Sequence, residues 1–366
     1  MLKWVIIIKI LKRITALFIC SVLLVGISAT VPYAADAEEP DGTFTFANYN
    51  VAGLPSLNPS SGKAAKQKQL GTQVKADGYD ILAVQEDFGY DSDFYSGLGS
   101  EYRTYGSQNV VTSDGLNIFS AFPIYNVARE GWKDKGGMIW EGDIVSQKGF
   151  MYSVVEIAKG VYIDVYNLHA DAFGGEESIE ARRSNFTQIQ KFIEKTSEGH
   201  AVIVTGDFNS SFHFGNGEGA DLYDAFIEKL GMSDAWTEVI NGGSFTDYSA
   251  YGGSYWGSWD SVEHILYRSS SSLTLAALSH EYINYTDDDG ASFSDHSAAV
   301  AQFGYTVTGE MPEYSLTAAK RSLPSVINLF QVVFEDLAYV FSHFDEVVIM
   351  LKYANDVEFL YDNYLR

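Results

Sequence analysis

The sequence predicts an α/β layered sandwich, and three observations carry that prediction. Short apolar runs of strand length recur along the chain, helical patterns separate them, and no repeat of solenoid period is present. The strand candidates are FTFANYNVA from Phe44, DILAVQE from Asp80, GLNIFSA from Gly115 and FMYSVVEI from Phe150. VYIDVYNLH from Val161, AVIVTGDF from Ala201, EHILYR from Glu263 and SAAVAQFGY from Ser297 complete the set. The clearest helix runs from Glu176 to Ser197, with Ile179, Arg182, Phe186, Ile189 and Ile193 on one face. A weaker helical pattern spans Gly62 to Ala76.

The 366 residues suffice for one large domain with extensions, and 46% hydrophobic and 14% aromatic content excludes a disordered chain. Residues 1–37 read as a signal peptide. Lys3, Lys9, Lys12 and Arg13 precede the apolar run Ile14–Ala29, and small residues follow at Ala35 and Ala37. A membrane anchor is the alternative for this segment. Cys20, the only cysteine, lies inside it, so the rest of the chain has neither disulfide nor thiol chemistry. The expectation is a secreted protein, of bacterial type.

The formal charge is −24. Without the leader it becomes roughly −27, a field that repels polyphosphate and argues against a protein that wraps duplex nucleic acid. From Leu316 the pattern changes. Val326, Phe330, Val333, Leu337, Val340 and Phe344 follow 4-3-4-3-4 spacing, which predicts a helical C-terminal extension over 316–366. Glu335 and Asp336 interrupt the apolar run, so it does not span a bilayer. The expected role is packing on the domain or on a second copy; peripheral membrane contact is the alternative, weakened by a polar face poor in Lys and Arg.

Polar groups close the apolar strands. Asn50 ends the first run, Glu86 the second, His169 the fifth, and Asp207 and Asn209 the sixth, while Asp295 and His296 immediately precede the last. Burying such groups singly costs a few kcal/mol each, so packing explains them poorly. If the strands share a sheet edge, the groups converge in one cleft. Oxygen donors without thiolate select Mg²⁺, with Mn²⁺ or Ca²⁺ as alternatives, over Zn²⁺. A divalent ion polarises a phosphoryl oxygen. Carboxamides donate to developing phosphorane charge, and a histidine beside a carboxylate moves protons near neutral pH.

NYNVAGLP, VQEDF, NLHADA, GDFNSS, VEHILYR and SDH occur, in this order, as in the endonuclease/exonuclease/phosphatase superfamily, which the chain resembles from Phe44 to Tyr305. The resemblance implies a four-layer sandwich of two mixed β-sheets flanked by helices. It implies metal binding by Asn50 and Glu86 with support from Asp295, and phosphate contact by His169 and Asn209. Asp207 would orient the attacking water or serve the leaving group, and His296 would be general base or phosphate clamp. Where the superfamily has aspartate to orient the last histidine, this chain has Glu263, with Asp260 the alternative partner of His296. DIVSQKGFMYSVVEI resembles the Lys-Gly segment of neutral sphingomyelinases and places Lys148 near the phosphate.

The implied function is a metal-dependent phosphodiesterase, sphingomyelinase-like on phospholipid headgroups. A nuclease or an inositol-phosphate-type phosphatase is the alternative within the superfamily, and nucleic acid is the less favoured substrate on charge grounds. A binding protein on a decayed catalytic scaffold is the non-enzyme alternative. The aromatic, Gly-rich stretch YSAYGGSYWGSW before Asp260 fits a lipid-facing loop or a loop folded onto the domain. TDDDG at Thr286–Gly290 lacks calcium-loop spacing and reads as a solvated turn. His200, His264, His280 and His343 show no ligand pattern, and Trp132, Trp140 and Trp236 read as core or rim aromatics. Oligomeric state leaves no signature in the sequence.

Overall fold

A computed structural model describes residues 39–53, 62–104, 113–136, 148–213, 217–245 and 261–319. The leader, the aromatic stretch 248–259, Asp260, Trp140, His343 and the tail beyond 319 lie outside the described residues. Twelve strands are present among the described residues: β1 Gly42–Asn50, β2 Ile81–Gln85, β3 Tyr102–Arg103, β4 Asn117–Ser120, β5 Ile124–Gly131, β6 Gly149–Ala158, β7 Val161–His169, β8 Val202–Asp207, β9 Ser233–Asp234, β10 Glu263–Arg268, β11 Leu273–Ile283 and β12 Ala298–Val307. The helices are α1 Lys63–Asp77, α2 Asp91–Leu98, α3 Glu176–Thr196, α4 Glu218–Leu222, which continues as a π-helical turn over Tyr223–Glu228, and α5 Ala235–Ile240.

Two six-stranded sheets form, in orders β11-β12-β1-β2-β4-β3 and β5-β6-β7-β8-β10-β9. Each has a parallel pair at its centre, β1 with β2 and β7 with β8, flanked by antiparallel neighbours. The central strands are buried on both faces, which is why their sequences read as nearly continuous apolar runs. Phe44, Phe46, Ile118, Met151, Val165, Ile203, Ile265 and Phe303 belong to the core between the sheets. On one outer face α1 and α2 cover Tyr49, Leu82 and Val84; on the other, α3 and the π-turn cover Tyr166, Val202 and Val204 through Phe186, Ile189 and Phe226. This is the expected four-layer, two-sheet architecture.

The sequence reading passes over β3, β5, β9 and β11. β3 and β9 have two residues each, too few for a periodic signal. β5 is a half-exposed edge strand whose register shifts between Tyr125 and Ala128, with Asn126 at φ 54, so its alternation is broken. β11 is a largely half-exposed edge strand with a shift between Ala277 and Ser279. The segment 317–319 covers the β5 edge: Asn126 N donates to Thr317 O at 2.8 Å and Ala319 N to Ile124 O at 3.2 Å. TDDDG is a turn in which Asp287 Oδ1 accepts from the amides of Asp289 and Ala291. Among the described residues, no helix is long and apolar enough to cross a membrane.

The topology fixes the polar edge. Parallel β1 and β2 end together, and so do β7 and β8. The antiparallel flanking strands β10 and β12 start at that same edge, where Glu263 pairs opposite Asp207 and Ala299 opposite Asn48.

Candidate active site

Asn50, at the end of β1, is fully buried and joins two carboxylates. Its Nδ2 donates to Asp207 Oδ2 at 3.0 Å and to Glu86 Oε1 at 3.2 Å, while its Oδ1 accepts from Ala52 N at 3.0 Å. Glu86 follows β2 in a left-handed conformation, φ 55, a strain that a functional position tolerates. The turn after β1 packs against it so closely that a Cβ on Gly53 would sit 2.3 Å from Glu86 O, which explains the glycine in NVAGLP. Gly206 plays the same part beside Asp207: its Cβ would meet Leu168 O at 2.0 Å across the parallel pair.

Asp207 is buried at the centre of the cluster. Its Oδ2 lies 3.4 Å from His169 Nε2 and 3.8 Å from His296 Nε2, and its Oδ1 accepts from Asn209 N at 2.9 Å. Burial pushes its carboxyl up to about 6, with the His296 charge opposing the rise and Glu263 adding to it. His169 is buried too, and desolvation, with the nearby charges of Lys148 and His296, holds its imidazole well below its ordinary value. It is therefore neutral at pH 7.

Glu263 and His296 form an ion pair through Glu263 Oε1 and His296 Nδ1. Ser261 Oγ donates to the second carboxylate oxygen at 2.7 Å. Burial works against the charged imidazole, but the Glu263 hydrogen bond and the Asp207 charge outweigh it and raise His296 to about 9. Asn209, at φ 47, donates from Nδ2 to Ala170 O at 3.2 Å, and Lys148 Nζ donates to the same carbonyl at 3.3 Å. Asp295 sits exposed at the rim, where its Oδ1 meets Ser294 Oγ at 3.5 Å.

The structure thus brings Asn50, Glu86, Asp207, His169 and His296 into one cluster of contacting side chains, with Glu263, Asn209 and Lys148 attached to it. Asp295 joins through Ser294, whose Oγ donates to Asn50 O at 2.7 Å and accepts from His296 N at 3.1 Å, and through its charge, which acts on His296. Sequence reading missed Ser294, Ser261 and Trp132, whose Nε1 donates to His169 O at 2.7 Å. It also missed a carboxamide layer under the site. Gln85 Nε2 donates to Asn48 Oδ1 at 2.8 Å and Asn167 Oδ1 at 2.7 Å, bridging the sheets. The signal was available: Asn48 and Asn167 stand two residues before Asn50 and His169, and strand period two puts each pair on one face.

The donor chemistry fits a hard divalent cation. Glu86 and Asn50 offer oxygen ligands beside a second carboxylate, without sulfur. Asp207, Glu263 and His296 also place ligand atoms within 4.8 Å of one another. In that triplet, however, His296 Nδ1 is already engaged by Glu263, so the triplet is better suited to proton handling.

Comparison with known proteins agrees with this geometry. The profile of the Endonuclease/Exonuclease/phosphatase family matches residues 47–296, from β1 to His296. Sphingomyelinases of Mycobacterium tuberculosis and Mycobacterium bovis are 31% identical over 278 residues, covering 72% of this chain and 53% of theirs. The chain thus spans about half the length of these curated relatives. Among solved structures, Danio rerio TDP2 complexed with a single-strand DNA product covers 72% of this chain and 100% of its own, at TM-score 0.54 and 14% identity. An endonuclease/exonuclease/phosphatase family protein from Bacteroides thetaiotaomicron covers 76% of this chain and 100% of its own, at TM-score 0.51 and 18% identity. At these identities the structural likeness speaks to the fold alone. The profile match across both sheets decides membership: the chain belongs to the endonuclease/exonuclease/phosphatase family.

Proposed function

We propose that the protein is an exported, metal-dependent phosphodiesterase that cleaves the headgroup phosphoester of a sphingomyelin-type phospholipid. The observation that carries the hydrolytic reading is the convergence of Asp207, His169, Asn209 and the Glu263–His296 pair beside the Asn50–Glu86 pair. The lipid reading draws on the 31% identity to proteins named sphingomyelinases and on the net charge of −24, which disfavours a polyanionic duplex. The export reading draws on the leader.

Glu86 and Asn50, with Asp295 at the rim, would hold a divalent cation, which would supply charge neutralisation at a phosphoryl oxygen. Asp207 accepts the proton of the attacking water, since a carboxyl raised to about 6 is ionised at pH 7 yet more basic than an exposed one. His296, an imidazolium below pH about 9, clamps phosphate oxygen and can pass its proton to the leaving alkoxide. Glu263 fixes the ring, and Asn209 and neutral His169 contact phosphate oxygens without adding charge.

Sphingomyelin and phosphatidylcholine vesicles, single-stranded and duplex DNA and inositol phosphates, each with Mg²⁺ and with EDTA, test the reading. Release of phosphocholine from sphingomyelin with Mg²⁺ and none with EDTA is expected. Preferential cleavage of DNA or inositol phosphates would overturn the substrate assignment, activity indifferent to EDTA the metal, and no hydrolysis of any substrate the enzyme reading. A mature N-terminus near residue 38 in protein recovered from the culture medium is the corresponding expectation for export.

A further inference from the structure

Behind the site, β10 carries a further histidine. Glu263 faces the cluster, and by strand alternation the next residue, His264, faces the opposite side, where it is buried. Its Nε2 lies 3.0 Å from the carbonyl oxygen of Ser210. A carbonyl only accepts, so Nε2 carries the proton and donates. Its Nδ1 lies 3.5 Å from Oδ1 of Asp234, itself buried as the cap of α5, where Oδ2 accepts from Thr237 N at 2.8 Å. Phe208 and Phe212 stand edge-on to the imidazole at 5.2 and 4.9 Å, and Thr205 Oγ1 donates to the His264 carbonyl at 2.8 Å.

What this assembly holds is the turn Phe208–Ser211. Phe208 opens that turn and Phe212 follows it, Ser210 accepts the histidine's hydrogen bond, and Asn209 sits between Phe208 and Ser210 at φ 47. Asparagine tolerates this conformation better than other non-glycine residues, and the ties around it select it. On the site side Asn209 is tied by its amide to Asp207 Oδ1 and by Nδ2 to Ala170 O. On the far side the tie is His264.

We propose that His264 is a positioning residue for phosphoester hydrolysis: lying beside Asp234, it donates to the Ser210 carbonyl and thereby aims the Asn209 carboxamide at the phosphate. The inference rests on the phosphodiesterase reading above. It gives this chain two histidine–carboxylate pairs on opposite faces of β10. Glu263–His296 touches substrate, and Asp234–His264 acts through Asn209. A carboxamide donor stabilises charge only as well as it is aimed, so loosening the turn weakens the transition state more than substrate binding.

The test compares His264→Phe, which keeps the ring between Phe208 and Phe212 but removes the donor, with His264→Gln, which retains an Nε2 donor. With a soluble bis-aryl phosphodiester and Mg²⁺, His264→Phe should lower kcat about 10- to 100-fold with KM nearly unchanged, and His264→Gln should restore most of it. In the His264→Phe/Asn209→Ala double variant, kcat should equal that of Asn209→Ala alone, because both changes remove one interaction. Multiplying losses, wild-type kcat in His264→Phe, or a change confined to KM or Tm would overturn the proposal. If the wild-type protein cleaves no phosphodiester, the functional reading fails instead, and the same cycle is read on orthovanadate binding by calorimetry. Weakening about tenfold in His264→Phe, and no further weakening on adding it to Asn209→Ala, still supports the positioning role. Unchanged or multiplying losses overturn it.

Discussion

Glu86 combines a left-handed backbone with a carboxylate directed at Asn50, and that pair is where removal of one charge tells most. Glu86→Gln leaves the proposed cation with mostly neutral ligands, and kcat at limiting Mg²⁺ should fall at least about 100-fold. Rates near wild type at low Mg²⁺ would remove Glu86 from the metal assignment. His296→Ala should cost about 100-fold or more and Glu263→Gln less, and the double variant should add little to His296→Ala, since a pair acting as a unit is not additive. The same pair predicts a pH effect on stability. His296 titrates at about 9 in the folded chain and lower when unfolded, so its stabilisation is complete below the unfolded value. It is lost as pH rises through about 9. Thermal melts across that range, in EDTA, should show the decline in wild type and a flatter profile in Glu263→Gln. Asp207 has the opposite economy. Its carboxyl is raised to about 6 by burial, so the ionised form costs stability above that pH, and none when both folded and unfolded carboxyls are protonated. Asp207→Asn should be inactive yet melt about 2–4 °C higher than wild type near pH 8 in EDTA, with the gain gone near pH 3. An unchanged or lower Tm at pH 8 would show that Asp207 is not electrostatically strained.

At the scale of elements, the segment after β12 belongs to the second sheet's edge. Besides covering β5, it sends Tyr314 OH to buried Asp164 at 3.1 Å and sets that ring, tilted, 4.5 Å from the His200 imidazole. Asp164 also accepts from Ser197 Oγ at 2.5 Å and from His200 Nδ1 at 2.8 Å. This clasp lies on β7 well before His169, so it is a stability device remote from the catalytic edge. A chain ending at residue 307 should therefore melt several degrees below one ending at 319, because β5 loses the segment on its open edge and Asp164 loses Tyr314. Both should keep kcat on a soluble phosphodiester at temperatures where each is folded. Equal melting temperatures would show that 308–319 adds nothing. Missing β5 and β11 in the sequence has the same root as this arrangement. Edge strands with shifted register carry no clean period, because neighbours and covering segments, rather than alternation, decide which side chains are buried.

For the molecule as a whole, the order of polar strand ends is written in the sequence: Asn50, Glu86, His169, Asp207, Asn209, Asp295 and His296 stand out because each interrupts an apolar run at its end. Period-two and helical patterns likewise determine the central strands and α3, since burial on both faces or on one stripe leaves a direct imprint on composition. Which sheet each strand joins, and that the two parallel pairs present their ends at one edge, is decided only by tertiary pairing across more than 150 residues, as between Asn50 and Asp207. Sequence offered both Glu263 and Asp260 to His296; packing of β10 against β8 puts Glu263 opposite Asp207 and within reach of the imidazole. His264 read as an isolated histidine because its partners, Ser210 and Asp234, are 54 and 30 residues away. A hydrogen-bonding side chain announces its chemistry in the sequence, but its partner is chosen by the fold, because the free energy that selects a buried polar contact comes from the apolar packing that removes water from around it.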